Sequence, residues 1–422
     1  MNPRRAERRY QLEVRRNLTR NFLTHLFHGM FGQTGFRLLN APTFLPAYIL
    51  MLSGGSDVLV ALALAAQSLG GAVTPLIGAN VVEHRAKVLP AALTIGLLVR
   101  LCILIIALAG WLLPPHIALV VIIAALVLWG MGQGMQGVAF HFLLAKVIPV
   151  SRRGRLTGWR NFSAGITSAG VSYLGGLYLL GADPTVDGYS SLFALSFGLT
   201  AVSLFILMWM KEPLPPVVKP KVPLTNVLGR VPEMLRADKA YRRFVMARAL
   251  GTAGRLALPF YILYAANDLA LSGTNLAVLT IAFTLAGTVS NLVWGAMADR
   301  HGFRRVYLTA IALWVISTIA LLVSGSSLLA TALVFAGIGA AVQGFMSSST
   351  SLVWEFGERE DLPLRIAIAN STSEAVGTVA TIAAGFIAAA FGYPTVFAIS
   401  IALLASGGLL VRRFVPDPRF RG

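Results

Sequence analysis

The sequence predicts an all-α polytopic membrane protein in which twelve transmembrane helices form two pseudo-symmetric six-helix bundles. Hydrophobic residues make up 56% of the 422 residues and charged residues only 12%, whereas a typical soluble domain has roughly 25% charged residues. The apolar residues fall into twelve runs, each long enough to cross a bilayer. The second half of the chain also repeats motifs of the first half in the same order. These three observations predict the fold.

The twelve runs are the predicted spans, numbered 1 to 12 in chain order. Since about 20 apolar residues cross a bilayer as a helix, the spans are placed near 22–52, 57–81, 87–113, 117–148, 156–181, 189–210, 244–267, 272–297, 305–324, 327–354, 364–391 and 393–411. They predict a cytoplasmic basic N-terminal segment (1–21), an N-terminal six-helix bundle (22–210), a cytoplasmic central loop (211–243), a C-terminal six-helix bundle (244–411) and a cytoplasmic tail (412–422).

The placement of Lys and Arg supports this threading. Of the 35 Lys and Arg residues, all but five fall in segments that this threading puts on one side of the membrane, and the five lie within spans: Arg37, Arg100, Arg160, Arg248 and Arg255. Cytoplasmic loops collect these residues, so both termini are expected in the cytoplasm of a bacterial cell, with the spans in its inner membrane. The net charge of +18 is thereby explained without a nucleic-acid partner.

An internal repeat relates the two halves. Leu45–Leu50 recurs as Leu258–Leu263, and Arg155 and Asn161 of span 5 recur as Arg365 and Asn370 of span 11. In spans 4 and 10, a further set recurs at a similar offset: Gly130, Gly132, Gln136 and Gly137 as Gly337, Gly339, Gln343 and Gly344. Transporters of several folds are built from such duplicated halves.

The segment between spans 8 and 9 carries the most specific motif. It reads Gly295-Ala-Met-Ala-Asp-Arg-His-Gly-Phe-Arg-Arg305 and resembles G-x-x-x-D-R-x-G-x-R-R, the signature loop that joins the second and third helices of each half in the major facilitator superfamily. The resemblance extends over almost the whole chain. It implies that family's fold and a gating loop formed by Gly295, Asp299, Arg300, Gly302, Arg304 and Arg305. The first-half copy is degraded, with Val82 or Glu83 at the aspartate position and no second glycine.

The same resemblance implies a central cavity between the halves, lined mainly by spans 1, 4, 7 and 10. Polar groups in those spans are candidates for substrate binding, because ionisable side chains at membrane depth are costly and usually functional. Gln33, Arg37 and Asn40 lie at i, i+4 and i+7, on one helix face. The complete candidate set is Gln33, Arg37, Asn40, Gln133, Gln136, His141, Arg255 and Gln343.

The charges deep in the spans favour an anionic substrate. Arg37, Arg100 and Arg255 are deep cations, whereas Glu374 of span 11 is the one acid at comparable depth. Guanidinium groups bind carboxylates through paired hydrogen bonds. The alternative is that one arginine pairs with Glu374 while the others bond helix carbonyls or lipid headgroups. Glu374 is also the candidate for proton coupling, because a carboxyl group in an apolar bundle can titrate near neutrality.

The sequence therefore predicts a secondary active transporter that moves a small organic solute by alternating access and works as a monomer in the lipid bilayer. Efflux of amphiphilic or drug-like compounds is an alternative, and a transporter-fold sensor without transport is another. No catalytic constellation or nucleotide-binding loop is recognisable, so an enzyme is not expected. No cofactor or metal is expected either, because Cys102 is the single cysteine and His25 and His28 lack a third ligand nearby.

Overall fold

A computed structural model describes residues 3–82, 84–215, 229, 231–354, 356 and 362–415. Within these ranges the regular structure is helical. An N-terminal helix, Pro3–Arg16, precedes the first half. Spans 2 to 6 are Asp57–Val82, Leu89–Leu112, Pro115–Val147, Val150–Gly175 with a π-helical end Gly176–Leu180, and Val186–Leu207. A short helix, Val231–Ala237, lies in the central segment. Spans 8 to 12 are Gly273–His301, Phe303–Leu321, Leu328–Trp354, Leu362–Phe391 and Tyr393–Phe414.

Spans 1 and 7 are broken helices rather than the continuous runs that hydropathy predicts. Span 1 consists of Leu18–Asn40 and Phe44–Leu52, and span 7 of Lys239–Ala253, a 3-10 turn and Leu258–Ala265. In span 1 the break falls at Pro42, where the preceding Ala41 has φ −59° and ψ 133°. Proline disfavours helical geometry in the residue before it, which ends the first helix. Both breaks occur just before the repeated Leu-Pro motif, so the internal repeat is also a repeat of local structure.

Eight helices of the described chain are long and apolar enough to cross a membrane, namely spans 3, 4, 6 and 8 to 12. Span 2 has a shorter apolar part, Asp57–Ala72. Span 5 is more polar, since Arg152, Arg153, Arg155 and Arg160 lie in its first eleven residues. Together with the two broken helices, these elements make up the twelve predicted crossings.

The ends of the spans define two faces of the bundle. One face carries Arg20, Lys146, Arg304 and Arg412 and is called the basic face here. At the opposite face the two halves meet. The Gly273 amide of span 8 donates to the Gly181 carbonyl at 2.7 Å, and the Tyr393 hydroxyl of span 12 donates to Asp57 Oδ1 at 2.8 Å. Since these residues end or begin spans in both halves, the basic ends of both halves lie on the same side.

The hydrogen bonds between the halves do not reach the basic face in the described part of the chain. Besides the two at the opposite face, they join Thr43 to Thr280 at 2.5 Å and Arg37 to Thr288 at 3.4 Å. Thr288 is near the middle of span 8. Among the described residues, the halves are therefore hydrogen-bonded to each other at the opposite face and in the middle of the bundle.

Two of the repeated glycines allow close helix packing inside each half. A Cβ atom on Gly130 of span 4 would lie 2.0 Å from the Gln67 carbonyl oxygen of span 2. A Cβ atom on Gly339 of span 10 would lie 2.1 Å from the Phe283 carbonyl oxygen of span 8. Small residues let membrane helices approach this closely, so the repeated glycines set the same contact in both halves.

Candidate functional site

Arg37 lies at the contact between the two halves. Its Nη1 donates to Thr288 Oγ1 of span 8 and its Nη2 to Gln33 Oε1, one helical turn away, both at 3.4 Å. Bonds of this length are at the weak end of the range. The Arg37 guanidinium therefore bonds to two neutral oxygens. No acid is among its hydrogen-bond partners in the described structure, so its positive charge is not neutralised there.

Gln33 connects Arg37 to span 5. Its Nε2 donates to Asn161 Oδ1 at 3.1 Å, and one residue along, the hydroxyls of Thr34 and Thr167 lie 2.6 Å apart. Arg160, next to Asn161, is close enough to Arg37 for the two charges to repel. The predicted site therefore gains a second cation from span 5, which the sequence interpretation did not single out.

The second half contains an analogous pair. Arg248 of span 7 is buried, with 7% of its surface exposed, and its Nη2 donates to Asn370 Oδ1 of span 11 at 2.7 Å. Its Nη1 has no hydrogen-bond partner in the described structure. Glu374 is near enough for its charge to act on Arg248, as is that of Arg255. Arg248 is thus a further charged group that the sequence interpretation missed.

The repeated asparagines explain how the two clusters correspond. Asn161 accepts from Gln33 of span 1, and Asn370 accepts from Arg248 of span 7. In each half, the asparagine of the fifth span therefore orients a polar side chain of the first. The recurrence of Asn161 as Asn370 was visible in the sequence and was the one signal that could have identified Arg248 as its partner.

Arg255 of span 7 does not hydrogen-bond to Arg248 or Asn370 in the described structure. Its Nη1 contacts the Met346 sulfur of span 10 at 3.9 Å, and its Nε has no hydrogen-bond partner in the described structure. The side chain is half-buried. Arg255 therefore lies between spans 7 and 10, with no acid among its hydrogen-bond partners in the described structure.

The other predicted polar residues are dispersed. Asn40 is exposed, donates to the Phe36 carbonyl at 2.8 Å and accepts from Gln67 of span 2. His141 is exposed and its Nδ1 lies 2.6 Å from the Gly137 carbonyl oxygen of its own helix. Gln133 and Gln343 are half-buried.

Gln136 and Arg100 belong to the interior of the first half. Gln136 is buried beside span 3, where a Cβ atom on Gly96 would lie 3.7 Å from its Nε2. Arg100 is 1% exposed and donates to the carbonyls of Thr200 at 2.5 Å and Gly96 at 2.7 Å. Arg100 therefore bonds helix carbonyls, as the alternative interpretation of the deep arginines expects.

The motif predicted as the loop between spans 8 and 9 is mostly helical, because span 8 continues to His301 and span 9 begins at Phe303. The chain turns at Gly302. Its φ of 80° and ψ of 160° belong to a region that essentially only glycine occupies. Arg304 then donates to the Arg412 carbonyl at 2.7 Å, which ties the loop to the end of span 12. The rest of the predicted gating set, Gly295, Asp299, Arg300 and Arg305, is exposed at the basic face.

The first half uses a different acid at the equivalent place. Glu212, which follows span 6, accepts from the amides of Val88 and Leu89 at 2.8–2.9 Å. The same carboxylate pairs with Lys146 of span 4 at 2.5 Å, and the two side chains are only 3% and 8% exposed. Carboxylates are favourable at helix N-termini, so Glu212 caps span 3.

Comparison with known proteins supports the family assignment. The sequence model of the Major Facilitator Superfamily matches residues 243–422. Among curated proteins, no sequence matches the chain.

Three solved structures show the fold over the whole chain. The D-xylose-proton symporter has a TM-score of 0.73 at 14% identity and covers 95% of this chain and 99% of its own. The xylose transporter XylE from E. coli, in its inward open conformation, has a TM-score of 0.70 at 14% identity, with 97% and 98% covered. A variant of the nucleoside transporter NupG has a TM-score of 0.72 at 12% identity, with 93% and 100% covered.

These identities are low enough that the three structures establish the fold alone. The second half of the chain matches the sequence model of the Major Facilitator Superfamily, and the whole chain shares the fold of these three transporters. Both findings agree with the expectation from the loop and the repeat.

Proposed function

We propose that the chain is a secondary active transporter that moves a small organic anion across the bacterial inner membrane by alternating access. The basic face is the cytoplasmic face in this proposal. Because the halves are joined at the opposite face and in the middle, the conformation described above is then closed toward the outside of the cell.

The balance of charge between the halves carries the proposal. Arg37 and Arg160 of the first half and Arg248 and Arg255 of the second half lie in or beside the polar clusters of spans 1, 5, 7 and 11. Glu374 is the acid whose charge acts on this group in the described structure. Unpaired charges at membrane depth are costly, so an anion that binds several of these guanidiniums would stabilise the protein.

Arg37 is the residue most directly suited to bind the anion. Its two hydrogen bonds are long and go to neutral oxygens, so a carboxylate would replace weak partners with charge-assisted ones. Arg37 also bonds to Thr288 of the other half. Binding there would change a contact between the halves, as alternating access requires.

The test is a thermal-shift screen of the purified protein against organic anions, organic cations and neutral amphiphiles, since a ligand that binds the folded state raises its stability. Arg37→Gln should weaken anion binding by roughly ten- to a hundredfold, which corresponds to the loss of about 1.5–3 kcal/mol from a charged hydrogen bond. Arg155→Gln removes the same charge from an exposed site on span 5 and serves as the matched control.

Flux into proteoliposomes then separates the remaining possibilities. An anion that stabilises the protein should be transported by the wild type and by Arg155→Gln, and poorly by Arg37→Gln. Stabilisation by cations or amphiphiles that is unaffected by Arg37→Gln would contradict an anion substrate and favour efflux. Anion binding without flux would favour a sensor.

Proton coupling is part of the proposal, with Glu374 as the first candidate residue. Its backbone carbonyl accepts from Thr378 at 2.8 Å, while its charge acts on Arg248. Glu374→Gln should abolish proton-driven accumulation if this carboxyl carries the proton, and should leave anion exchange intact. Accumulation that survives in Glu374→Gln would assign the proton to another group.

A further inference from the structure

Two buried histidines of span 1 lie beside the proposed anion site. His25 and His28 are 0% and 6% exposed and project toward span 4, where both rings contact Phe140 at centroid distances of 5.2 and 5.9 Å. Gln33 and Arg37 lie further along the same helix, on a different face from His28, and contact spans 5 and 8. The histidines are thus on the side of the site nearest the basic face.

The hydrogen bonds of His28 fix its tautomer. Its Nδ1 lies 2.9 Å from the Ser203 carbonyl oxygen of span 6, and a carbonyl oxygen accepts only. Ser203 Oγ, 2.7 Å from the same nitrogen, gives its own hydrogen to the His28 carbonyl. Nδ1 therefore carries the hydrogen, and Nε2 has the lone pair that can accept a proton.

His25 is buried without hydrogen bonds. Neither of its ring nitrogens has a partner in the described structure. A buried polar group of this kind is unusual and calls for an explanation. Protonation of His25 would therefore break no hydrogen bond in the described structure.

Arg160 places a positive charge next to this pair. Its side chain passes so close to span 1 that a Cβ atom on Gly29 would lie 1.9 Å from Arg160 Cδ. Its guanidinium carbon is 4.6 Å from the Phe140 ring centroid, and Phe140 is the ring that both histidines touch. Arg160 Nε has no hydrogen-bond partner in the described structure. Gly29 is thus needed to admit a cation between the histidines and the anion site.

We propose that His25 and His28 form a proton-binding site that is coupled, through the charge of Arg160, to anion binding at Arg160 and Arg37. The proposal rests on the proposed anion transport and assigns the proton to this pair instead of Glu374. One proton is taken up by a ring nitrogen of the pair as one anion binds to the guanidiniums, so the loaded site gains no net charge. A second proton is disfavoured because the two rings are neighbours.

Proton binding and anion binding are coupled because the charge next to the histidines differs between the empty and the occupied anion site. Without an anion, the positive charge of Arg160 lies over the Phe140 ring that both histidines contact, and like charges at such a distance oppose each other. An anion bound to Arg160 compensates that charge, which raises the proton affinity of the pair. By thermodynamic linkage, a proton on the pair raises the affinity for the anion by the same factor.

Among the described residues, the other groups that contact the pair include no acid. Span 3 contributes Arg100, whose charge acts on His28. Span 4 contributes Phe140 with His141 next to it, and span 6 contributes Ser203. In the described structure, Arg160 is the charged group that acts on both rings, so it is the group through which an anion can be sensed.

The first measurement is ¹⁵N NMR of histidine-labelled protein in detergent over a pH titration. The signals of the pair are assigned with His25→Gln and His28→Gln. Arg160→Gln should raise the proton affinity of the pair by roughly two- to tenfold, seen as an upward shift of its titration midpoint. Arg155→Gln, which removes an exposed charge from the same helix, should leave the midpoint unchanged. An unchanged midpoint in Arg160→Gln would overturn the proposal.

A second measurement tests the coupling without relying on an arginine variant. Proton uptake is measured by calorimetry of succinate or benzoate binding in two buffers of different ionisation enthalpy. The expected result is uptake of up to one proton per anion in the wild type and in Glu374→Gln, and its loss in the double variant His25→Gln/His28→Gln. Full uptake in the double variant, or its loss in Glu374→Gln, would overturn the assignment.

The two measurements separate the proton site from the proposed function. If Arg160→Gln shifts the histidine titration but neither succinate nor benzoate binds or shifts it, the charge contact stands and anion coupling fails for these probes, which overturns the proposal as stated. If the anions bind and are transported while the histidines neither titrate nor contribute to proton uptake, anion transport stands and the proton site is wrong.

Discussion

The two halves share a fold but stabilise their basic ends with different acids. In the first half, Glu212 is buried, caps span 3 and pairs with Lys146. In the second half, Asp299 of the loop between spans 8 and 9 is exposed and makes no ion pair in the described structure. There the central segment supplies Asp238, which caps span 7 and pairs with Arg365 of span 11 at 2.8 Å.

This difference shows that the corresponding ends of a duplicated fold can be fixed by a buried ion pair in one half and keep an exposed acid available for movement in the other. A carboxylate that is buried with three donors is held permanently, because its removal leaves a buried cation. An exposed carboxylate at an open face can find a partner when that face closes. We therefore expect the first half to be the rigid one at the basic face, and the loop of the second half to take part in gating.

The largest expected effect is that of Glu212→Gln. Lys146 would remain buried without its partner, and removal of one member of a buried ion pair costs about 3–5 kcal/mol. The melting temperature of the purified protein should fall markedly. Addition of Lys146→Met to Glu212→Gln should restore part of the loss, since the uncompensated charge is then gone. A small effect of Glu212→Gln would show that the first half is not held by this pair.

Gly302→Ala should have the next largest effect. The φ of 80° and ψ of 160° at this position cost a residue with a Cβ atom about 1–3 kcal/mol. Gly295→Ala is the control in the same motif, because Gly295 lies within the helix of span 8 and a Cβ atom there meets no atom within 4 Å. Equal melting temperatures for the two variants would contradict a conformational role for Gly302, which has no counterpart in the first half.

Asp238→Asn should destabilise the protein less than Glu212→Gln. Asp238 is 21% exposed in the ion pair, so solvent can compensate part of the lost charge, and asparagine can still cap the helix by accepting from the Tyr241 amide. We expect a loss of about 1–2 kcal/mol, measured by denaturant unfolding. If Asp238→Asn lowered the free energy of unfolding as much as Glu212→Gln, the ion pairs at the two ends of the central segment would contribute equally to stability.

The smallest effect on stability is expected for Asp299→Asn. Surface substitutions of this kind usually change stability by within about 0.5 kcal/mol, but the variant should slow transport if Asp299 binds a partner on closure of the basic face. The check is flux in proteoliposomes together with cysteine accessibility at the basic face. Wild-type flux would restrict the gating role to the other residues of the loop.

The charged residues illustrate where sequence interpretation succeeds and where it stops. Arg37 was identifiable because its depth in an apolar run is a local property, and a charge there needs a partner. Arg160 lies in the more polar part of span 5, and its importance depends on the rotation that turns it toward Gly29 and Phe140. Glu212 is one of several charged residues after span 6, and the sequence does not show that the chain returns to the start of span 3.

The sequence by itself determined the twelve-span fold, its division into two related halves and the side on which the basic residues gather. Hydropathy, charge placement and repetition are properties of short segments, and the bilayer acts on each segment separately. Only the tertiary structure decided which polar groups meet. The pairs Gln33 with Asn161 and Arg248 with Asn370 join residues more than a hundred positions apart, so they depend on how the helices pack and rotate against one another.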